Sequence, residues 1–429
     1  ADAHDGQRRR SGEAFISHPL SVALILADMR LDSPSISTAI LHDVIEDTPT
    51  LREQLAESFG EDVALLVDGV SKIDQIEFES KEHAEAENFR KMLLAMAKDI
   101  RVILIKLADR IHNMRTLDSL RSDQRKRIAQ QTFDIYAPIA NRLGMYTWTQ
   151  ELEDLSFQHL YPKRYSAIRK EISKRRGNRK RVVDRSRLKI TEELEETGIN
   201  ATVVGREKNI YSVYRKMQDR RVPMAEMGDI FAIRIIVNTV DECYRVLGII
   251  HNLYKPVPGM FKDYIAISKA NGYQSLHTQL FGTFGQSIEV QIRTTDMHRV
   301  AESGVASHWR YKSHGGETPP QIVAHSWLVD LIETQQESGN PSEFLEHLKT
   351  DLFPDEIYVF TPKGDIKKLP KGASALDFAY AVHSDIGNHC IGAKISNEAI
   401  PLHHVLNNGD HIEVLTARSA CPTPLWLHY

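Results

Sequence analysis

Leu41-His42-Asp43-Val44-Ile45-Glu46-Asp47-Thr48 and Ala108-Asp109-Arg110-Ile111-His112-Asn113 set histidine and aspartate inside apolar patterns of helical spacing. An ionised carboxylate buried on such a face is costly without a partner, and a metal ion removes the penalty. His18, in Ile16-Ser17-His18-Pro19-Leu20, adds a third segment. A single His-Asp pair in a helix is ordinarily a plain polar contact. Two acidic clusters of matched spacing, together with His18, point instead to a divalent cation held by His18, His42, Asp43 and Asp109. Imidazole and carboxylate without thiolate suit Mn, Fe or Zn, with Mn preferred. Such an ion brings the pKa of a water toward neutrality. Glu46 and Asp47 lie three and four residues past Asp43 and read as one helix with it. They return to its face, where a carboxylate can orient or deprotonate the water. Asn113 shares the face of Asp109, whereas His112 points elsewhere and reads as structural. Arg9, Arg10 and Ser11 offer base stacking and phosphate contact, or else a solvated basic terminus.

Outward from these clusters, residues 1–160 carry apolar side chains at three-to-four spacing, as in Val22-Ala23-Leu24-Ile25-Leu26 and in Asn88 to Ala97. This first domain is expected to be all-α. Residues 161–195 are highly charged and contain Arg175-Arg176-Gly177-Asn178-Arg179-Lys180-Arg181. They read as a solvated connecting helix, with nucleic-acid contact as the alternative. From Ala201 the texture changes. Ala201–Val204, Ile230–Val237 and Ile288–Ile292 read as strands, and Lys208–Met217 and Val240–Leu253 as helices, giving a mixed α/β domain over 196–330. A loop at 313–320 and a short helical stretch lead to a small strand-rich module over 352–418.

The 429-residue length suits about three domains. Hydrophobic residues at 41% and charged residues at 26% describe a globular protein, and a net charge of −4 argues against a uniformly basic nucleic-acid binder. Cys243, Cys390 and Cys421 are too scattered for a disulfide framework or a cysteine zinc site, which fits a reducing cytosol. No apolar run reaches the roughly 18 residues of a membrane span. The chain begins at Ala1 and ends abruptly at Tyr429, so both ends are expected to be truncation points.

A second constellation lies in the α/β region. Arg206 and Lys208 sit at a strand-to-helix junction, with Ser212 and Lys216 following at four-residue steps on one helix face. A helix start flanked by cations suits a polyphosphate. Asp229 and Glu289, on or beside strands, can hold magnesium between transferring phosphates, and Glu289 can activate an attacking hydroxyl. Tyr273 offers a flat face to a purine, although a tyrosine after glycine is more often a turn or core residue. Together these residues favour a nucleotidyltransferase-like pocket.

One His, then an adjacent His-Asp, then a distant Asp is the ligand order of an HD-type metal phosphohydrolase. Over nearly its whole length the chain resembles the long RelA/SpoT homologues, bacterial enzymes of the alarmone (p)ppGpp. His18-Pro19-Leu20, Leu41 to Thr48 and Lys106 to Thr116 are similar to that family's hydrolase domain. Lys262-Asp263-Tyr264-Ile265, Asn271 to His277 and Glu289 to Thr294 are similar to its synthetase domain. Phe360 to Gly364 and Asp377 to Tyr380 look like its TGS domain, a small β-grasp fold. The resemblance implies Mn²⁺ on His18, His42, Asp43 and Asp109, with Glu46 and Asp47 serving the attacking water. Arg9, Arg10, Ser11, Asn113 and Thr116 would hold the guanosine. Water attack on phosphorus would remove the 3′-pyrophosphate of ppGpp or pppGpp and leave GDP or GTP. The synthetase counterpart would move pyrophosphate from ATP to GDP or GTP with Mg²⁺. There Tyr273 stacks the guanine, Arg206, Lys208, Ser212 and Lys216 handle ATP phosphates, and Lys262, Asn271, His277 and Gln291 belong to the same nucleotide pocket.

Two departures bear on activity. Met260, in Pro258-Gly259-Met260-Phe261-Lys262-Asp263, stands where bifunctional members carry arginine. A lost charge-assisted phosphate contact costs about 2 kcal/mol, roughly thirtyfold in rate or affinity. Ala14 replaces a usual proline, a change without chemical consequence. The expectation is hydrolysis of the SpoT type, with synthesis weak or lost. The bifunctional alternative stays open because Asp229, Tyr273 and Glu289 are present. So does a non-enzymatic reading, suggested by the TGS-like segment with His383, His389, His403, His404 and His411: a regulatory module contacting tRNA, the ribosome or acyl carrier protein.

Overall fold

The computed structural model describes residues 2–9, 12–74, 99–221, 224, 231–269, 271–282, 287–306, 356–395, 398–407, 409–424 and 426, apart from the side chains of 2, 72–74, 175–180, 220 and 356. Two compact units result, Ala1–Phe344 and Leu345–Tyr429. The expected helix at Asn88–Ala97, the loop at 313–320, and Arg10, Ser11 and Asp229 lie outside the described residues.

The first unit opens with helices α1 (Ser17–Asp28), α2 (Ser33–Leu41), α3 (Val44–Asp47), α4 (Arg52–Phe59), α5 (Glu61–Asp74) and α6 (Ile100–Arg115). Pro19 falls in the first turn of α1, where its missing N–H costs nothing. Asp32 caps α2 by accepting from Ser35 N at 3.2 Å, and Asp99 caps α6 by accepting from Arg101 N at 2.8 Å. Arg101 ties both caps together through ion pairs to Asp32, Asp62 and Asp99. Val22, Leu26, Ala39, Ile103, Leu104, Leu107 and Ile111 are completely buried, so α6 is the central helix. Then follow α7 (Ser122–Gln131), a π-helical turn (Thr132–Tyr136), α8 (Ala137–Arg142) and α9 (Tyr146–Leu160).

The long α10 (Pro162–Glu196) confirms helix where a connector is expected, but it is no solvated connector. Its Ile168, Ile172, Val183, Ile190 and Leu194 are buried in the core of the α/β region, together with Val203, Val213, Ile233, Val290 and Ile292. The steps of four, eleven, seven and four residues along that stripe keep one helix face but are diluted by charges on the remaining faces, which hides it in the sequence. The α/β region contains β1 (Thr202–Glu207), α11 (Ile210–Arg220), β2 (Phe231–Val237), α12 (Val240–Leu253), β3 (Lys262–Asp263), β4 (Leu276–Phe281), β5 (Ser287–Thr294) and α13 (Thr295–Ser303). The sheet order is β1-β2-β5-β4-β3, parallel between β2 and β5 and antiparallel elsewhere. Register aligns Lys262 with His277, His277 with Gln291, and Gln291 with Arg234, so these polar residues share one face. Val290 and Ile292, alternating with them, are wholly buried.

The helical and α/β parts meet closely at two glycines. Gly144 (φ +73°) lies against Asn271 O and Gly304 Cα, and a Cβ on Gly304 (φ +53°) would strike the Leu143 carbonyl. Val305 N donates to that carbonyl at 3.0 Å.

The second unit has β6 (Glu356–Phe360) paired with β7 (Ile366–Pro370), helices α14 (Ala375–Val382) and α15 (Ser384–Asn388), and a sheet of order β10-β8-β9 from β8 (Cys390–Ile395), β9 (Glu398–Ile400) and β10 (Ile412–Thr416). Val359, Ala375, Phe378, Ala393 and Ile412 form its core. No helix among the described residues is long and apolar enough to cross a membrane.

Candidate metal centre and nucleotide sites

Three helical segments bring His18, His42, Asp43 and Asp109 together. One ligand atom from each of His18, His42 and Asp109 lies within 4.8 Å of the other two, and all three residues are buried. His18 Nε2 is 3.1 Å from Asp109 Oδ1 and 3.7 Å from Asp43 Oδ2. His42 Nε2 is 3.0 Å from Asp43 Oδ1 and 3.9 Å from Asp109 Oδ1. Helix α2 stops at Leu41 and α3 is a separate turn with Asp43 at its N-cap position, the Asp43 carboxylate making no cap hydrogen bond, so the single helix expected across these residues is interrupted. Adjacent residues of a regular helix point about 100° apart. The break lets both His42 and Asp43 face one point.

The chemistry of the cluster fits a cation. His42 Nδ1 lies 2.8 Å from Ala39 O, and a carbonyl only accepts, so Nδ1 carries the proton. Nε2 then presents its lone pair, sealed from solvent, with no hydrogen-bond partner among the described residues. Burial raises the Asp43 carboxyl, partly against the pull of His42. Burial also opposes charge on Asp109, but Lys106 and His18 overcome it and hold this carboxyl well below the usual range. Lys106 Nζ stands 3.0 Å from Asp109 Oδ2. Two imidazoles and two carboxylates converging on one point are the donor set of a borderline or hard divalent ion.

Beside the cluster opens a cavity of about 440 Å³, lined among others by Arg8, Arg9, Lys106, Arg110, Asn113 and Thr116. Asn113 Nδ2 donates to Asp109 Oδ1 at 2.7 Å, and its Oδ1 accepts from Arg9 Nη2 at 3.0 Å. Thr116 Oγ1 donates back to His112 O at 3.1 Å. Glu46 and Asp47 are exposed on α3. Sequence reasoning missed Lys106, Arg8 and Arg110. Lys106 was findable, since a lysine inside an apolar helix needs a carboxylate one turn away. It also set His112 apart from the ligands, yet His112 Nδ1 lies 2.7 Å from His18 Nδ1. Burial, with His18 and Arg9 nearby, pushes His112 down to about 4.

In the α/β region Glu289 Oε2 accepts from Lys208 Nζ at 2.5 Å and Lys216 Nζ at 3.0 Å, while Oε1 accepts from Gln291 Nε2 at 3.0 Å. Burial disfavours its charge, but the two ammonium groups prevail and hold the carboxyl far below its ordinary value. Tyr273 is only 9% exposed. Its ring packs among Tyr146 and Tyr264, at 6.0 and 6.2 Å between centroids. Burial lifts the Tyr273 hydroxyl to about 12 and lowers His277 to about 3, and the hydroxyl shares a hydrogen bond of 2.8 Å with His277 Nε2. Arg206 turns to the side chain of Gln150 and over the Tyr146 ring, both on α9. Asn271 donates to Asn141 O at 2.9 Å. Lys262 is exposed and Ser212 half-buried.

A further cluster escaped the sequence reading. Glu302 Oε1 accepts from Arg234 Nη1 at 2.8 Å and Arg293 Nη2 at 3.3 Å, and Oε2 accepts from Thr147 Oγ1 at 2.6 Å. The signal was period two: Arg293 follows Glu289 and Gln291 at two-residue steps, alternating with Val290 and Ile292 in an apolar strand.

Comparison with known proteins agrees with this architecture. Residues 1–146 match the family model "HD domain", 205–316 "Region found in RelA / SpoT proteins" and 357–416 "TGS domain". The chain is 54% identical over 430 residues to the guanosine-3′,5′-bis(diphosphate) 3′-pyrophosphohydrolase of Vibrio cholerae, covering 100% of this chain and 61% of that one. It is 54% identical over 429 residues to the bifunctional (p)ppGpp synthase/hydrolase SpoT of Escherichia coli K12, with the same shares of 100% and 61%. The GTP pyrophosphokinase of Myxococcus xanthus is 49% identical over 432 residues, with shares of 100% and 57%. The chain thus spans about three-fifths of the length of these relatives. With HD, RelA/SpoT and TGS domains in this order, it belongs to the long RelA/SpoT homologues.

Proposed function

We propose that the chain hydrolyses (p)ppGpp at its 3′-pyrophosphate in the bacterial cytoplasm, using a divalent cation, Mn²⁺ by preference, on His18, His42, Asp43 and Asp109. The observation that carries this reading is the sealed, unpartnered Nε2 of His42 facing two carboxylates and a second imidazole. When bound, the ion supplies a polarised water and neutralises charge on phosphoryl oxygens. The chain's own residues do the rest. Asp109 is kept ionised by Lys106, and Asn113 keeps Asp109 Oδ1 aimed. Arg9 and Arg8 give the 440 Å³ cavity the positive wall that a guanosine polyphosphate needs, with Arg10, Ser11 and Thr116 as further contacts. Glu46 and Asp47 stand one turn past Asp43, where a carboxylate takes the proton of the attacking water. The bond from phosphorus to the ribose 3′-oxygen breaks, and that oxygen is protonated.

The test is pyrophosphate release from ppGpp with and without Mn²⁺. His42→Ala and Asp43→Ala should each abolish it, and full turnover by either would refute the assignment.

A second reading adds pyrophosphate transfer from ATP to GDP or GTP with Mg²⁺. Glu289, gripped by Lys208 and Lys216, favours it. The exposed Met260, in place of a cation, makes transfer weak. Met260→Arg should raise transfer of radiolabelled phosphate, and no change would count against this account of the loop.

A further inference from the structure

His112 lies behind His18, with its ring centroid 4.8 Å away and tilted by 42°. The two Nδ1 atoms are 2.7 Å apart, so one must donate to the other. A cation among His18, His42 and Asp109 takes the lone pair of His18 Nε2, the nitrogen facing Asp109. The proton of His18 is then on Nδ1. His112 Nδ1 becomes the acceptor, and the proton of His112 moves to its Nε2. Arg9 Nη1 is also a donor near this nitrogen, at 3.4 Å, but a ring nitrogen has one lone pair and His18 is closer. His42 is held in the same way, with Nδ1 against Ala39 O at 2.8 Å and Nε2 left for the ion. Both imidazoles therefore have an acceptor behind them.

We propose that His112 is a positioning residue of the metal centre: it holds His18 as the Nδ1–H tautomer and aims Nε2 at the ion. This rests on the reading of His18, His42 and Asp109 as ligands. A partner behind a metal-bound imidazole restricts its rotation and raises its basicity, and losing one weakens binding about 10–100-fold.

The test measures Mn²⁺ affinity of the full chain by calorimetry, without substrate. His112→Phe keeps a ring but removes the acceptor, and should bind Mn²⁺ about 10-fold or more weakly. His112→Asn returns an oxygen near the place of Nδ1 and should stay within about threefold of wild type, on the same principle. A Phe variant that binds as tightly as wild type overturns the proposal, as does an Asn variant as weak as Phe. Should the Phe variant not fold, nitrogen-15 NMR of wild type carrying diamagnetic Zn²⁺ decides by itself. His18 protonated at Nδ1 and His112 at Nε2 supports the assignment; the reverse tautomer of His18 refutes it. Wild type that takes up no divalent ion overturns the ligand reading itself, an outcome separate from the others.

Discussion

Lys106 and Asp109 are both almost sealed from water and 3.0 Å apart. Removing one member of a buried ion pair strands the other, at about 3 kcal/mol. Lys106→Met should lose about that much stability to urea in the cation-free chain. A cation on Asp109 supplies the missing charge, so the gap to wild type should narrow in saturating Mn²⁺. An unchanged gap would mean that no ion sits on Asp109. Glu153 runs the other way. Burial lifts its carboxyl from 4.5 to about 7, despite Arg215. With the folded value above the unfolded one, the fold favours the protonated acid. That contribution is complete below pH 4.5 and is lost as pH rises through about 7. Glu153→Gln should match wild type in the acid range and exceed it by up to about 3 kcal/mol in urea unfolding above pH 8. Equal stability there would place this carboxylate in water. At this scale residue type was legible and direction was not. Lys106 and His112 were both in plain view in the sequence; Lys106 meets Asp109 one turn along the same helix, but which atom His112 meets depends on α1 and α6 crossing.

At the scale of elements, α9 carries Tyr146, Gln150, Asp154 and Phe157 along one stripe toward β1 and the start of α11. Glu151 reaches the end of α6 instead, in a paired contact with Arg115 at 2.6 and 2.9 Å. Helix α11 is capped from outside: Tyr211 N donates to Asp154 Oδ1 at 2.8 Å, while the side chain of Asn209 is given to Gln150 O at 2.9 Å. Loss of a cap costs about 1 kcal/mol, close to fivefold in an equilibrium. Because α11 presents Lys216 to Glu289, Asp154→Ala should weaken binding of a non-hydrolysable ATP analogue by about that factor, and Asp154→Asn should restore it. Equal affinity for all three chains would show that packing alone holds α11. A helix over Lys208–Met217 was legible from its periodicity. Its cap was not, because the acceptor lies more than fifty residues away in sequence.

For the whole molecule, α10 decides where the first unit can be cut. A chain ending at residue 195 would expose Ile168, Ile172, Val183, Ile190 and Leu194, forfeiting on the order of 10 kcal/mol of burial. It should aggregate or unfold, as light scattering and circular dichroism would show. A monomeric, folded fragment of this length would mean that α10 contributes little to the core. A chain ending at residue 344 keeps every proposed hydrolase residue within its unit. It should retain Mn²⁺-dependent pyrophosphate release within about threefold, an expectation from the domain-sized independence of such units. Loss of that release would assign the second unit a part in the hydrolysis.

Residue type and spacing alone determined the order of the domains, the helical character of the first, strands β1, β2 and β5 of the second and the identity of the four convergent side chains. These follow from local periodicity and from the cost of burying charge without a partner. Only the tertiary structure decided that α2 and α3 break between His42 and Asp43, that His112 backs His18, and that Arg206 and Tyr273 face α9. It also decided that α10 belongs to a core. Each of these depends on packing between segments far apart in the chain, and a one-dimensional pattern carries no record of which faces meet.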